Sequence, residues 1–198
     1  MLRRWKKVLC VCFFAFLGAG MVTSESPNVE EYFHVCLMGL NDAGKTANFN
    51  SLLGRNFTET RPTIGFDVSD VKYKDVVFAF WDLGGQCKIK GLWRHYLGDT
   101  THAIVFVIDA AAGMERLKVA SRAMHEMFQK AIIPKELFVL ILANKQDLEG
   151  KLSSAEIIDG LNLLELKNEW DLLETSAKDY VGISQILDSL YQKLNKNK

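Results

Sequence analysis

Residues 39–46 read Gly-Leu-Asn-Asp-Ala-Gly-Lys-Thr, a G-x-x-x-x-G-K-[ST] run. Residues of these types at this spacing can cradle phosphate. Successive backbone N–H groups turn inward as an anion nest, and a helix beginning at the Lys adds its positive end. Gly39 and Gly44 let the backbone take turns that a side chain would block. Asn41, Asp42 and Ala43 lie between them and line the same loop, and Ala47 follows on the helix. Lys45 brings a full charge to the outer phosphates, and the Thr46 hydroxyl can ligate Mg²⁺. The preceding apolar run, Phe33-His34-Val35-Cys36-Leu37-Met38, reads as a buried strand and supplies the strand–loop–helix setting that this chemistry needs. A nucleoside triphosphate is the implied ligand.

Further groups stand where such a ligand requires them. Asp82-Leu83-Gly84-Gly85-Gln86 follows the apolar Val76-Val77-Phe78-Ala79-Phe80-Trp81. A carboxylate at a strand end, Asp82, can approach Mg²⁺, usually through water. The Gly85 N–H can meet a γ-phosphate, and Gln86 can orient an attacking water. Gln86, Gly85 and Lys45 thus form the catalytic set. Asn144-Lys145-Gln146-Asp147 follows another apolar run, residues 137–143. The two oxygens of Asp147 can accept from the ring N–H and exocyclic amine of guanine; adenine lacks that donor pair and would leave a buried carboxylate unpaired. An ATPase on the same plan is therefore disfavoured. Ser176-Ala177-Lys178 closes a last strand, and its backbone N–H can reach the guanine carbonyl oxygen. Thr63, within Arg61-Pro62-Thr63-Ile64-Gly65, can join Thr46 on Mg²⁺ and be held with GTP and released with GDP.

The elements that must position these groups alternate. Strands are expected near 33–38, 66–73, 76–82, 103–109, 137–143 and 170–175, and helices near 45–53, 91–97, 114–130, 153–160 and 183–195. Residues 66–73 and 76–82, joined through Lys74 and Asp75, read as an antiparallel hairpin. The rest reads as βα units, giving an α/β fold with a mostly parallel six-stranded sheet and helices on both faces. Ligands then sit at the carboxyl ends of the strands, where all the motifs fall.

Together these residues resemble a small GTPase of the Ras superfamily with the P-loop NTPase fold. Finer marks resemble the ADP-ribosylation factor (Arf) and Arf-like family: Pro62-Thr63-Ile64-Gly65-Phe66-Asp67-Val68, then Trp81-Asp82-Leu83-Gly84-Gly85-Gln86, Leu92-Trp93-Arg94-His95-Tyr96 and Asn144-Lys145-Gln146-Asp147. The resemblance covers residues 32–194. It implies GTP/GDP and Mg²⁺ as ligands, an exchange factor, a GTPase-activating protein, and effectors met by Phe66, Trp81 and Tyr96. It also implies a hairpin that slides in register with nucleotide, and a role in membrane traffic. No arginine finger in cis stands out, so hydrolysis is expected to be slow without an activator. Two departures from the family pattern stand in the loop. Asn41 replaces the usual Asp, with Asp42 following. Ala47 replaces a second Thr, a lost hydroxyl worth on the order of 1 kcal/mol. These departures and the unusual N-terminus leave open a non-catalytic GTP-binding membrane scaffold or receptor subunit.

The chain of 198 residues suits one globular domain with an ample core, 32–198, preceded by a segment 1–31. Lys+Arg and Asp+Glu both number 24, so no overall basic field points to nucleic acid. Cys10, Cys12, Cys36 and Cys87 fit no zinc or disulfide pattern. Cys36 is expected in a core strand; Cys87, next to Gln86, reads as an inert packed thiol, with an exposed redox-sensitive thiol as the alternative. Residues 1–7 carry four basic side chains, and Val8–Val22 carries no charge. Fifteen helical residues span about 22 Å, short of a bilayer core of roughly 30 Å. The preferred reading is anchoring of residues 1–22 on the cytosolic face of an intracellular membrane, with palmitoylation of Cys10 and Cys12 a way to firm it. A secretory signal or span, and a dispensable extension, are the alternatives. With Leu at position 2 and no Cys in the last five residues, neither N-myristoylation nor prenylation is expected.

Overall fold

Alternate residues of the central strands are apolar on both sides, and the architecture follows from covering both. In the strand Glu31–Gly39, Phe33, Val35 and Leu37 enter one core while Cys36 and Met38 enter another. The strand Thr101–Asp109 divides likewise into Ala103, Val105 and Val107 against Ile104, Phe106 and Ile108. A strand buried on both faces reads as an unbroken apolar run, which is why these two runs were unambiguous in sequence.

The computed structural model describes residues 31–56, 63, 65–84 and 93–197. Segment 1–30, Arg61, Pro62, Ile64, Gly85, Gln86, Cys87 and Leu92 therefore lie outside the described residues. The elements are β1 Glu31–Gly39, α1 Lys45–Leu52, β2 Phe66–Tyr73, β3 Val76–Leu83, α2 Trp93–Tyr96, β4 Thr101–Asp109, α3 Gly113–Lys130, β5 Phe138–Asn144, α4 Ser154–Gly160, β6 Trp170–Glu174 and α5 Ile183–Leu194. Short 3₁₀ turns at Leu163–Glu165 and Asn195–Asn197 were not expected. The expected strands and helices otherwise fall within about two residues of these bounds, the ordinary scatter at element ends.

The sheet order is β2-β3-β1-β4-β5-β6, with β2–β3 antiparallel and every other pair parallel. Phe49 of α1 and Ile183, Ile186 and Leu190 of α5 cover one face. Trp93 of α2, Leu117, Ala120, Met124 and Met127 of α3 and Ile157 of α4 cover the other. Parallel register brings Leu37 opposite Asp82, Gly39 opposite Val107, and Asp109 opposite Asn144, so the motif-bearing ends share one rim.

Local chemistry fixes the element ends. Ser153 and Glu156 form a reciprocal capping box that starts α4. The β2–β3 turn is two residues, Lys74 and Asp75, with Lys74 left-handed at φ 54°. Its tip is pinned to α5: the Tyr73 hydroxyl donates to Asp188, the Tyr191 hydroxyl donates to Asp75 at 2.8 Å, and the Lys74 ammonium lies 4.3 Å from the Tyr191 ring centre. Cys36 is buried as expected, and burial pushes its thiol up to about 12. It is an inert core group. No helix among the described residues is long and apolar enough to cross a membrane.

The α5 face carries weight because it backs α1 and the loop before it. Truncating the fully buried Ile186 to Ala is expected to cost about 2–5 kcal/mol. Urea denaturation would read this as a lower midpoint with an unchanged slope.

Candidate functional site

The loop from Gly39 to Thr46 is held by close backbone approach on both sides. Gly39 has φ 140°, and a Cβ there would lie 2.2 Å from the Val107 carbonyl oxygen of neighbouring β4. Gly44 has φ 92°, and a Cβ there would lie 2.1 Å from the Asn144 side-chain nitrogen. Any larger residue at either position collides with backbone or with that amide. Asp42 between them is also left-handed, at φ 60°. Gly44 is the N-cap of α1, with no side-chain cap and no acidic residue in the first turn. The first N–H groups of α1 thus keep their free donors and the helix its positive end, as an anion site requires.

The remaining loop residues are braced from below. Lys45 is buried and its ammonium donates to the Leu40 carbonyl at 2.9 Å, folding the charge over the loop. Asn144, 2% exposed, donates through Nδ2 to the Ala43 carbonyl at 2.9 Å. Its Oδ1 accepts from the Thr175 hydroxyl and from the Ala177 N–H, each at 3.3 Å. One buried amide therefore ties the loops after β1, β5 and β6 together. Ser51 of α1 adds a tie, donating to the carbonyls of Ala47 and Ala177 at 3.0 and 3.1 Å. Asn144 and the Ala177 N–H, both expected at the base, are engaged with each other in this geometry.

Asp147 is aimed from the same rim. Its Oδ1 accepts from the Ser176 hydroxyl at 2.7 Å, and Lys178 stands 3.8 Å from Oδ2. The Ser176 bond is the main reason the carboxyl is held below the usual carboxylate range, with the Lys178 and Lys145 charges assisting. Lys145, left-handed at φ 69°, pairs with Asp109 at 2.6 Å. Ser176 also pairs with Val181 through both backbone groups, closing the 176–181 loop.

A second cluster stands at the end of β3. The Thr46 hydroxyl donates to Asp82 Oδ2 at 2.6 Å, and the Thr63 hydroxyl lies 3.0 Å from Thr46 Oγ1 and 3.4 Å from Asp82 Oδ2. Asp82 is 1% exposed, and its Oδ1 has no hydrogen-bond partner among the described residues. Burial raises its carboxyl above the usual range, against the Thr46 bond and the Lys45 charge. Hard oxygens around an orphaned buried carboxylate oxygen suit Mg²⁺. The site's residues fit the ion.

Beside this cluster, the Gly84 N–H donates to the Gly65 carbonyl at 3.0 Å, and the buried Trp93 indole N–H donates to the Gly84 carbonyl at 3.2 Å. Phe66 stacks on Trp81 with ring centres 5.4 Å apart and lies 5.5 Å from Tyr96. Phe66 is 48% exposed, while Trp81 and Tyr96 are half-buried against the core, so Phe66 brings the cluster to the surface. Gly85 and Gln86, read as catalytic, lie outside the described residues. Sequence reasoning missed Asp109, Thr175 and Arg116. Arg116 donates to both oxygens of Asn41. None sits in a recognisable motif; each reaches the site only through tertiary placement.

The raised Asp82 carboxyl has a definite sign. The folded state keeps its proton to higher pH than the unfolded chain, so the nucleotide-free fold loses stability as pH rises from the ordinary carboxylate value through the folded one. Asp82→Asn removes that charge. It is expected to melt no lower than the parent at neutral pH without nucleotide, yet to lose Mg²⁺-dependent nucleotide retention. Thermal melts with and without Mg²⁺ and GDP would check both halves.

The family described as Arf, the ADP-ribosylation factor family, matches residues 21–194. ADP-ribosylation factor-like protein 1 of Saccharomyces cerevisiae is 40% identical over 157 residues, covering 79% of this chain and 84% of that protein. Among solved structures, the Arl6 BBS3 small GTPase from Trypanosoma brucei with bound nucleotide analogue GppNp shares the fold, with a TM-score of 0.70 at 24% identity over 84% of this chain and 99% of that one. The chain belongs to the ADP-ribosylation factor family and is an Arf-like small GTPase that binds GTP and GDP with Mg²⁺.

Proposed function

We propose that the chain switches between GDP and GTP states to recruit effectors in intracellular membrane traffic, at the cytosolic face of a membrane. The observation that carries this reading is the short path from Thr63 to the aromatic cluster that the exposed Phe66 brings to the surface. Thr63 lies against Thr46 and Asp82, Gly65 bonds to Gly84, and Phe66 then opens β2 and stacks on Trp81. A change at Thr63 is thereby felt three residues later on the surface patch.

In this reading the backbone N–H groups of Gly39 to Ala47 and the Lys45 ammonium bind the phosphates. Thr46 and Thr63 hold Mg²⁺, with Asp82 behind them. The bound ion supplies charge neutralisation at the phosphate oxygens. Gly85 contacts the γ-phosphate and Gln86 orients the attacking water. Asp147 reads guanine, with Asn144, Lys145, Ser176, Ala177 and Lys178 shaping the pocket. Residues 32–198 form the GTPase domain, and residues 1–31 hold a membrane-associating segment and linker. Phe66, Trp81 and Tyr96 form the effector face; an exchange factor and an activating protein act on the same rim. The hairpin's contacts to α5 through Tyr73, Lys74 and Asp75 stabilise one register, and sliding would exchange them.

Two substitutions test the assignment. Gln86→Leu is expected to leave GTP affinity unchanged and slow hydrolysis by about a hundredfold, the cost of a misplaced nucleophile. Asp147→Asn is expected to shift preference from guanine toward xanthine nucleotides by about a hundredfold. Competition binding with GTP, XTP and ATP and a phosphate-release assay read these directly. Unchanged base preference would refute the assigned pocket.

A further inference from the structure

Asn41 and Asp42 stand where the family pattern puts the charge one residue earlier, and α3 supplies a reason. That helix begins at Gly113, just past β4, and its first turn stands beside the phosphate loop. From there one guanidinium nitrogen of Arg116 donates to the Asn41 carbonyl at 2.9 Å and to Asn41 Oδ1 at 2.8 Å. The Asn41 amide nitrogen in turn donates to Asp42 Oδ2 at 2.7 Å. Arg116 has no ion-pair partner of its own among the described residues.

We propose that Arg116 is a positioning residue for the phosphate loop, fixing Asn41 and, through the Asn41 amide, the direction of the Asp42 carboxylate. The inference rests on the guanine-nucleotide reading of the pocket. Bridging a guanidinium to a carboxylate takes a group that both accepts and donates, and an amide does both. An Asp at 41 could accept from Arg116 but would have no N–H to give, and it would repel Asp42. The order Asn-Asp and the arginine therefore work as one relay. The relay matters because Asp42 carries a negative charge inside an anion-binding loop. Left free, that carboxylate can turn toward the phosphates; tethered, it is held to the Asn41 side. Asp42 sits in a left-handed conformation, which an Asp tolerates better than most residues with a Cβ, and the Asn41 amide fixes the direction of its carboxylate there.

The test is release of a fluorescent GDP analogue from the loaded full-length protein into excess GDP with Mg²⁺. Arg116→Met is expected to speed release about tenfold, the scale of a lost charge-assisted hydrogen bond. Arg116→Met combined with Asp42→Asn is expected to return release toward the parental rate, because the freed charge is gone. Asn41→Asp is expected to speed release although it offers Arg116 a stronger partner. A purely structural role for Arg116 would not be rescued by neutralising a residue it does not touch. Parental release from Arg116→Met, or a double variant as fast as Arg116→Met alone, would overturn the proposal. If Arg116→Met does not fold, Asn41→Asp and its combination with Asp42→Asn carry the same comparison. A parent chain that retains no guanine nucleotide would instead refute the reading of the pocket.

Discussion

A carboxylate buried to 1% exposure, with one oxygen lacking a hydrogen-bond partner among the described residues, is an unfavourable thing to build, and Asp82 is such a group. Its charge is tolerated through the Thr46 and Thr63 hydroxyls and the nearby Lys45, and burial still raises its pKa. Hard oxygens are thereby gathered at the end of β3, as a cation site needs. That cluster draws together α1, which carries Thr46, and the segment before β2, which carries Thr63. Because β2 pairs along its length with β3, whatever holds Thr63 also bears on Phe66 and the rings beside it.

The second organising contact is neutral. Asn144 is the buried amide on which the loops after β1, β5 and β6 converge, and its nitrogen blocks any side chain at position 44. The loop 39–46 and the loop after β5 that carries Asp147 are therefore one mechanical unit. Asp147 and Ser176 on one side and Gly39 to Thr46 on the other cannot shift independently without breaking a buried hydrogen bond, a cost of about 1–3 kcal/mol. Arg116 adds a third support from α3, at the exposed end of the loop that Asn144 does not reach.

Most of the fold was legible because the signals were redundant. Residues 137–143 and the run in β4 are apolar on both faces, so strand identity followed from burial alone. By contrast α1 buries Lys45, Asn48 and Ser51 beside Phe49 and shows little amphipathic pattern; only the loop motif before it marked it as a helix. The 3₁₀ turn at Leu163–Glu165 packs Leu163 into the core from a segment with no helical repeat long enough to see. Within the site, residue types and spacing singled out the loop 39–46, Asp82, Thr63 and Asp147 as candidates, and the fold brings Thr63 and Asp82 against Thr46 of that loop. Residue types and spacing did not reveal that Asn144 braces loops, that Lys145 pairs with Asp109, or that Arg116 reaches Asn41. Those contacts join residues 31 to 101 positions apart and depend on strand order, which spacing along the chain does not encode.

The central claim is that occupancy of the Thr46–Thr63–Asp82 cluster is transmitted along β2 to the exposed aromatic face. Amide hydrogen exchange across residues 63–73, measured in Mg²⁺ with GDP and with a non-hydrolysable GTP analogue, tests it most directly. The account predicts slower exchange at Gly65 to Val68 with the analogue, since Thr63 is then held and the start of β2 with it. Equal protection in the two states would contradict it.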